Sequence, residues 1–206
     1  DFDWSPDGRW LAIAAHDPQS NRDIWLASAD GSGIAANLTR HPAFEGSPKW
    51  SPDGRHLVFT SRRDPSGESR LCRIDFGGNR PSLEMKDVPV ELMNTDGIEP
   101  VRVIWTADSK SIRFQSARES TKKLYEIGVD GKNLRVVAEQ RGVPIRITPD
   151  GSLLWRVDRT PEILTTNAVV RFPISMDVKR PREEVLTLGF RRIWRMLGER
   201  FYDPAM

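Results

Sequence analysis

A tryptophan followed by Ser-Pro-Asp-Gly occurs twice in this chain, and two looser copies follow. Trp4-Ser5-Pro6-Asp7-Gly8 leads into Arg9-Trp10-Leu11-Ala12-Ile13, and Trp50-Ser51-Pro52-Asp53-Gly54 leads into Arg55-His56-Leu57-Val58-Phe59. Trp105-Thr106-Ala107-Asp108-Ser109 and Ile147-Thr148-Pro149-Asp150-Gly151 are the copies, each followed by apolar residues in alternation. The anchors are spaced 46, 55 and 42 residues apart. A unit of that length built from short strands predicts propeller blades rather than one mixed domain.

The turn chemistry explains the repeat. Proline presets the backbone angle of the second turn position, aspartate tolerates the next, and glycine accepts the left-handed conformation that closes a hairpin. Alternating flanks suit half-buried strands. A third strand is readable at Asp23 to Ala27, Arg70 to Ile74 and Lys123 to Ile127. Asp30-Gly31, Gly77-Gly78-Asn79 and Asp130-Gly131 then supply hairpin turns, and short fourth strands are expected at Ala36 to Leu38 and Leu134 to Val137. The fold class is therefore mostly β: antiparallel four-stranded blades of a partial propeller, followed by a C-terminal amphipathic helix. The tryptophans beside the turns are expected to pack between neighbouring blades, each ring removing about 150–250 Å² from water. The third turn lacks glycine and should be looser or of another type. Glu84 to Pro100 is rich in turn formers and reads as a long loop.

Composition narrows the function classes. The 206 residues suffice for one large or two small domains, and a net charge of +2 implies no strong polyanion partner. The single cysteine, Cys72, excludes an internal disulfide framework and sits where a small buried apolar residue is wanted. No apolar run approaches the roughly 18 residues of a membrane span. The chain begins inside a strand without methionine and stops abruptly at Asp203-Pro204-Ala205-Met206, which reads as a fragment.

After residue 175 the pattern changes. Pro181 is a good first helical residue. Leu186, Phe190, Ile193, Trp194, Leu197 and Phe201 then fall on one helical stripe, with arginines on the other faces. Domains are accordingly expected at 1–175, propeller blades, and 176–206, a linker and the first helix of a helical domain. The stripe suits docking on a neighbouring helical domain, since three glutamates interrupt its basic faces.

Two resemblances follow from particular residues. Trp-Ser-Pro-Asp-Gly at 4–8 and 50–54, Leu38-Thr39-Arg40-His41-Pro42 before Ser47-Pro48-Lys49-Trp50, and Phe59-Thr60-Ser61-Arg62-Arg63-Asp64 resemble the TolB-type, WD-like propeller repeats over residues 1–160. Phe190, Trp194-Arg195 and Phe201-Tyr202-Asp203 are similar to the junction of tricorn-type serine peptidases, where a propeller gives way to a helical domain. That resemblance implies a non-catalytic propeller and linker segment acting in substrate access or assembly, with the serine nucleophile in a downstream domain of the same chain. Its implied partners are a peptide or protein substrate and further copies of itself. The alternative is a TolB-like protein-binding propeller of the cell envelope. A third reading is a prolyl-oligopeptidase-like hydrolase. A periplasmic or secreted location is favoured over a cytoplasmic one.

No catalytic residue, cofactor site or metal site is assigned from the sequence. His16, His41 and His56 lack metal-ligand spacing. Asp17, Asp23, Glu45, Asp64, Glu99 and Asp158 are carboxylates that blade loops could pair, but no separation can be read from sequence. Gly31-Ser32-Gly33 opens no helix and makes no phosphate loop. Basic residues are not interleaved with aromatics, so no nucleic acid is expected. The loops Arg40 to Lys49 and Arg62 to Ser69 should line the two faces of the disk. Their Arg40, His41, Glu45, Lys49, Arg62, Arg63 and Asp64, with Arg70, are the expected contacts to a substrate or partner.

Overall fold

In the computed structural model the repeated turns share one hydrogen-bond pattern. Ser5 N donates to Trp10 O at 2.8 Å and Gly8 N to Ser5 O at 2.9 Å. Asp7 Oδ1 accepts from Ser5 Oγ at 2.6 Å and from Arg9 N at 3.1 Å. Ser51, Asp53 and Arg55 repeat this at 2.6 and 3.0 Å. The third turn is not looser, as the missing glycine suggests. Thr106 Oγ1 donates to Asp108 Oδ1 at 2.7 Å, Ser109 N donates to Thr106 O at 3.0 Å, and Ser109 itself takes the left-handed position at φ 60°. The Ser109 hydroxyl also accepts from Asp53 N at 3.0 Å, tying the third turn to the second. In the fourth, Thr148 N donates to Ser152 O at 2.8 Å.

The structure describes residues 1–76, 89–95, 97–116, 123–139, 143–148, 152–157, 160–164 and 169–171, with Thr187, Phe190 and Arg191. Packing divides the chain into two units, Asp1–Phe172 and Pro173–Met206. The first holds four antiparallel four-stranded sheets in meander order. Sheet one is β1 (Phe2–Trp4), β2 (Trp10–His16), β3 (Arg22–Ser28) and β4 (Ala35–Asn37). Sheet two is β5 (Glu45–Trp50), β6 (His56–Ser61), β7 (Arg70–Asp75) and β8 (Val90–Leu92). Sheet three is β9 (Pro100–Trp105), β10 (Ser111–Ser116), β11 (Lys123–Gly128) and β12 (Arg135–Glu139). Sheet four is β13 (Val143–Ile147), β14 (Leu153–Val157), β15 (Thr160–Leu164) and β16 (Val169–Arg171). The first strands lie beside one another in turn, β1 by β5, β5 by β9 and β9 by β13, as propeller blades require.

Two tryptophans fill the joints between sheets. Trp50 is 5 % exposed, stacks on Phe76 at 5.2 Å, and packs with Ala12, Ile24 and Leu26 of sheet one. Trp105 is 7 % exposed and packs with Val58 and Leu71 of sheet two. Its indole N–H donates to Lys49 O at 3.0 Å. Trp4 departs from the expected packing: it is 52 % exposed, because no sheet covers that side of sheet one among the described residues.

The expected long loop from Glu84 to Pro100 is in part strand. β8 lies within it, and Met93 and Thr95 beside β8 are buried. The Gly77-Gly78-Asn79 turn and Asp158 lie outside the described residues. So does the Pro181 to Tyr202 helix, apart from Thr187, Phe190 and Arg191, and no helix is found among the described elements.

Candidate functional site

An antiparallel meander decides which loops meet. β5 runs away from the β4–β5 connection and β6 returns to it, so residues 38–44 and 62–69 emerge at one end. They do not line two opposite faces, as the sequence suggested. Arg62 N donates to Phe44 O at 3.0 Å and joins the two segments directly. Of the expected contact residues, Arg40, His41, Glu45, Arg62, Arg63, Asp64 and Arg70 belong to this end. Lys49, next to last in β5, lies toward the other, where its ammonium is 3.4 Å from Asp3 Oδ1.

Beneath the surface of this end sits a buried ion pair. Glu45 has no exposed area, and Oε1 accepts from Ser61 Oγ at 3.1 Å and from the Arg63 guanidinium. Arg63 N and Nε also donate to Ser61 Oγ, each at 3.2 Å. Glu45 Oε2 has no hydrogen-bond partner among the described residues. Buried carboxylates persist only when paired, so Arg63 is a structural requirement of Glu45. Cys72 lies within reach of this pair's charges, and burial pushes its thiol up to about 12. A thiol held protonated is a poor nucleophile.

Above it lies a side chain the sequence reading missed. Phe44 is 49 % exposed, with Arg22 Cζ 4.8 Å and Arg62 Cζ 5.9 Å from its ring centre. Arg22 Nη2 is bonded to Asp1 Oδ2 at 2.9 Å. Arg62 is exposed, and its guanidinium has no anionic partner among the described residues. Arg22 and Arg62 stand forty residues apart in sequence, and no local motif announces their meeting over one ring. The His-Pro-Ala-Phe-Glu connection, with an aromatic among turn formers, was the available signal.

The remaining polar groups mostly hold the connection in place. Asp23 is buried, accepting from Asn37 Nδ2 at 2.6 Å, Thr39 Oγ1 at 3.3 Å and His41 N at 3.0 Å. His41 Nδ1 accepts from Ala43 N at 3.1 Å, so this ring caps its own loop. Arg40, at φ 43°, is exposed beside this network, its N–H donating to Asn37 Oδ1 at 3.0 Å. Asp64 faces Arg70 at 3.5 Å, and Glu68 pairs with Arg70 at 2.9 Å. Hydrogen bonds from Ser66 hold the Asp64 carboxyl below the usual range. Asp17 caps the β2–β3 loop by accepting from Gln19 N and Asn21 N at 2.9 and 2.8 Å. His56 stacks on Trp105 at 6.1 Å, away from this end. Among the described residues no three histidine, cysteine or carboxylate side chains converge as metal ligands.

A separate open hollow of about 800 Å³ borders sheet three. Its Glu126 is bonded to Arg113 at 2.7 Å and Arg135 at 2.6 Å. Burial works to raise that carboxyl, but the two arginines overcome it and hold the group below its usual range. Glu126 and its two arginines thus satisfy one another's charge.

The chain matches no known family profile. Dipeptidyl-peptidase 5 of Porphyromonas gingivalis is 29 % identical over 147 residues, covering 68 % of this chain and 21 % of that protein. Putative tricorn protease homolog 2 of Streptomyces coelicolor is 47 % identical over 73 residues, 35 % of this chain and 6 % of the relative. Putative Tricorn-like protease C-terminal subunit of Sulfurisphaera tokodaii is 23 % identical over 256 aligned positions, 98 % of this chain and 29 % of the relative. The chain thus spans less than a third of each relative. Among solved structures, the tricorn protease superposes on all of this chain with a TM-score of 0.72 at 16 % identity, over 25 % of its own length. TolB from Acinetobacter baumannii superposes on 86 % of it with a TM-score of 0.62 at 20 % identity, over 44 % of TolB. The fold is that of TolB-like propeller repeats, and tricorn-like proteases are among the chain's relatives.

Proposed function

We propose that this chain is the propeller and linker segment of a tricorn-type serine peptidase. In this reading it contacts peptide or protein substrate, or serves assembly, while a downstream domain carries proteolysis. The observation that carries it is the alignment of 98 % of the chain with a tricorn-like protease subunit. Residues 1–175 are the propeller part and 176–206 the start of a helical domain. Arg40, His41, Glu45, Lys49, Arg62, Arg63, Asp64 and Arg70 are the proposed contact set. Within that set the exposed Arg40 and Arg62 would make the contacts, whereas Glu45, Arg63 and His41, engaged in hydrogen bonds of their own, would hold the loops that display them.

The likeness to dipeptidyl-peptidase 5 favours a second reading, in which the propeller serves a peptidase with a different downstream hydrolase domain. One experiment separates these readings from a pure binding propeller. The native gene is read beyond Met206, and its product and this chain are both assayed on fluorogenic peptides with and without diisopropyl fluorophosphate. Inhibitor-sensitive hydrolysis by the longer product alone is expected. Hydrolysis by this chain itself, or a stop codon within a few dozen residues, sinks the proposal and leaves a TolB-like binding module.

A further inference from the structure

The geometry points to the Phe44–Arg62 platform as a docking surface for an acidic segment of a polypeptide, with carboxylate side chains on Arg62 and apolar neighbours on the Phe44 ring. This rests on the reading above that this end of the sheets is a contact surface.

The first observation is a charge imbalance specific to this end. Every acidic side chain described there is already engaged. Asp1 holds Arg22, Glu45 holds Arg63, and Asp64 and Glu68 hold Arg70. Asp23 and Asp17 take the hydrogen bonds of their own loops. What remains without an anion among the described residues is Arg62, with Arg40 on the adjoining connection; both are exposed. Exposed guanidinium offers a planar fork that matches a carboxylate in bidentate fashion.

The second observation is the ring. Phe44 is half exposed in a segment otherwise fixed by hydrogen bonds, and two guanidiniums flank it at 4.8 and 5.9 Å. Their cation–π contact keeps the ring in place, and the Asp1 bond fixes Arg22 in turn. Beneath it Gly46 is closely covered: a Cβ added there would sit 3.6 Å from Asp1 Oδ2 and 3.7 Å from both Arg22 Nη1 and Phe44 Cε1. The platform is therefore built before any partner arrives, which lowers the ordering cost of binding. An aromatic beside an unpaired arginine is the composition of a binding anchor. A basic partner is disfavoured by Arg62 and Arg40, and a purely apolar one leaves both charges unused.

The test titrates the purified protein with a fluorescein-labelled peptide alternating glutamate and leucine, acetylated and amidated so that its ends carry no charge. The acidic peptide is expected to bind, and the same peptide with lysine for glutamate is expected not to. Arg62→Glu should weaken binding about tenfold, because like charges then face each other. Phe44→Ala should weaken it several-fold, while Arg55→Glu, an equal charge change at the opposite end of sheet two, should leave it unchanged. Equal losses from the Arg62 and Arg55 variants would show diffuse attraction and overturn the inference. So would equal binding by an uncharged peptide with a free carboxyl end, which would assign the site to chain termini. If an uncharged amidated peptide binds and only Phe44→Ala weakens it, the contact surface stands and the acidic preference fails. If no peptide binds, both fail together.

Discussion

Removing Arg63 leaves the Glu45 carboxylate inside the protein with only the Ser61 hydroxyl. The pair itself contributes little net stability, since desolvation offsets most of its attraction. Losing one partner is a different matter, because the other charge is then buried and uncompensated. Arg63→Met should lower unfolding free energy by about 3 kcal/mol, read from the urea midpoint at constant m-value. Adding Glu45→Gln to that variant should recover most of the loss, because a neutral amide replaces the stranded charge. A cost under about 1 kcal/mol for Arg63→Met would mean that water already solvates Glu45 Oε2. The same residues show why sequence could name Glu45 and Arg63 yet not their role. A carboxylate and an arginine in facing loops read equally well as solvent-exposed recognition groups, and only the depth of Glu45 separates the two.

The repeated turn is the element on which the sequence reading was strongest, and its third copy shows where local reading stops. Side-chain hydrogen bonding by the first and third turn residues is a local property, so Ser-Pro-Asp-Gly and Thr-Ala-Asp-Ser fold alike. Ser109 occupies the glycine position at φ 60° because its hydroxyl also receives Asp53 N from the neighbouring sheet. That contact spans 56 residues, and no local pattern carries it. Ser109→Ala keeps the strained backbone and strands the Asp53 amide, so it should destabilise by about 1–2 kcal/mol. Ser109→Gly loses the same bond but relieves the left-handed strain, worth about 1 kcal/mol, and should come out near neutral. Comparing the two midpoints isolates the bond from the strain; equal losses would deny the strain. The platform had no such local grammar. Its Arg22 opens β3 of sheet one, Phe44 lies in the β4–β5 connection and Arg62 follows β6; the meander returns β6 to that connection, and the packing of sheet one on sheet two adds Arg22. β8 was missed because a three-residue edge strand among prolines and aspartates has too few apolar positions to show alternation.

At the scale of the whole propeller unit, each sheet packs mainly on its neighbours, so stability should behave as a chain of nearest-neighbour joints. Sheet two is covered on both sides: the Trp50 cluster joins it to sheet one and the Trp105 cluster joins it to sheet three. Among the described residues sheet one has only the first of these joints, and Phe2 and Trp4 on β1 are 61 % and 52 % exposed. Opening sheet one therefore breaks one joint, whereas opening sheet two breaks both. Hydrogen exchange should report this directly, since an amide exchanges through the least costly opening that exposes it. Amides of β6 and β7 should exchange slowest, and those of β2 and β3 measurably faster although their ladders are equally regular. Trp105→Ala should speed exchange in sheets two and three while leaving β2 and β3 nearly unchanged, because their joint to sheet two runs through Trp50. Uniform acceleration across all four sheets would show that the unit opens all at once, and a chain of separable joints would then be the wrong description of it.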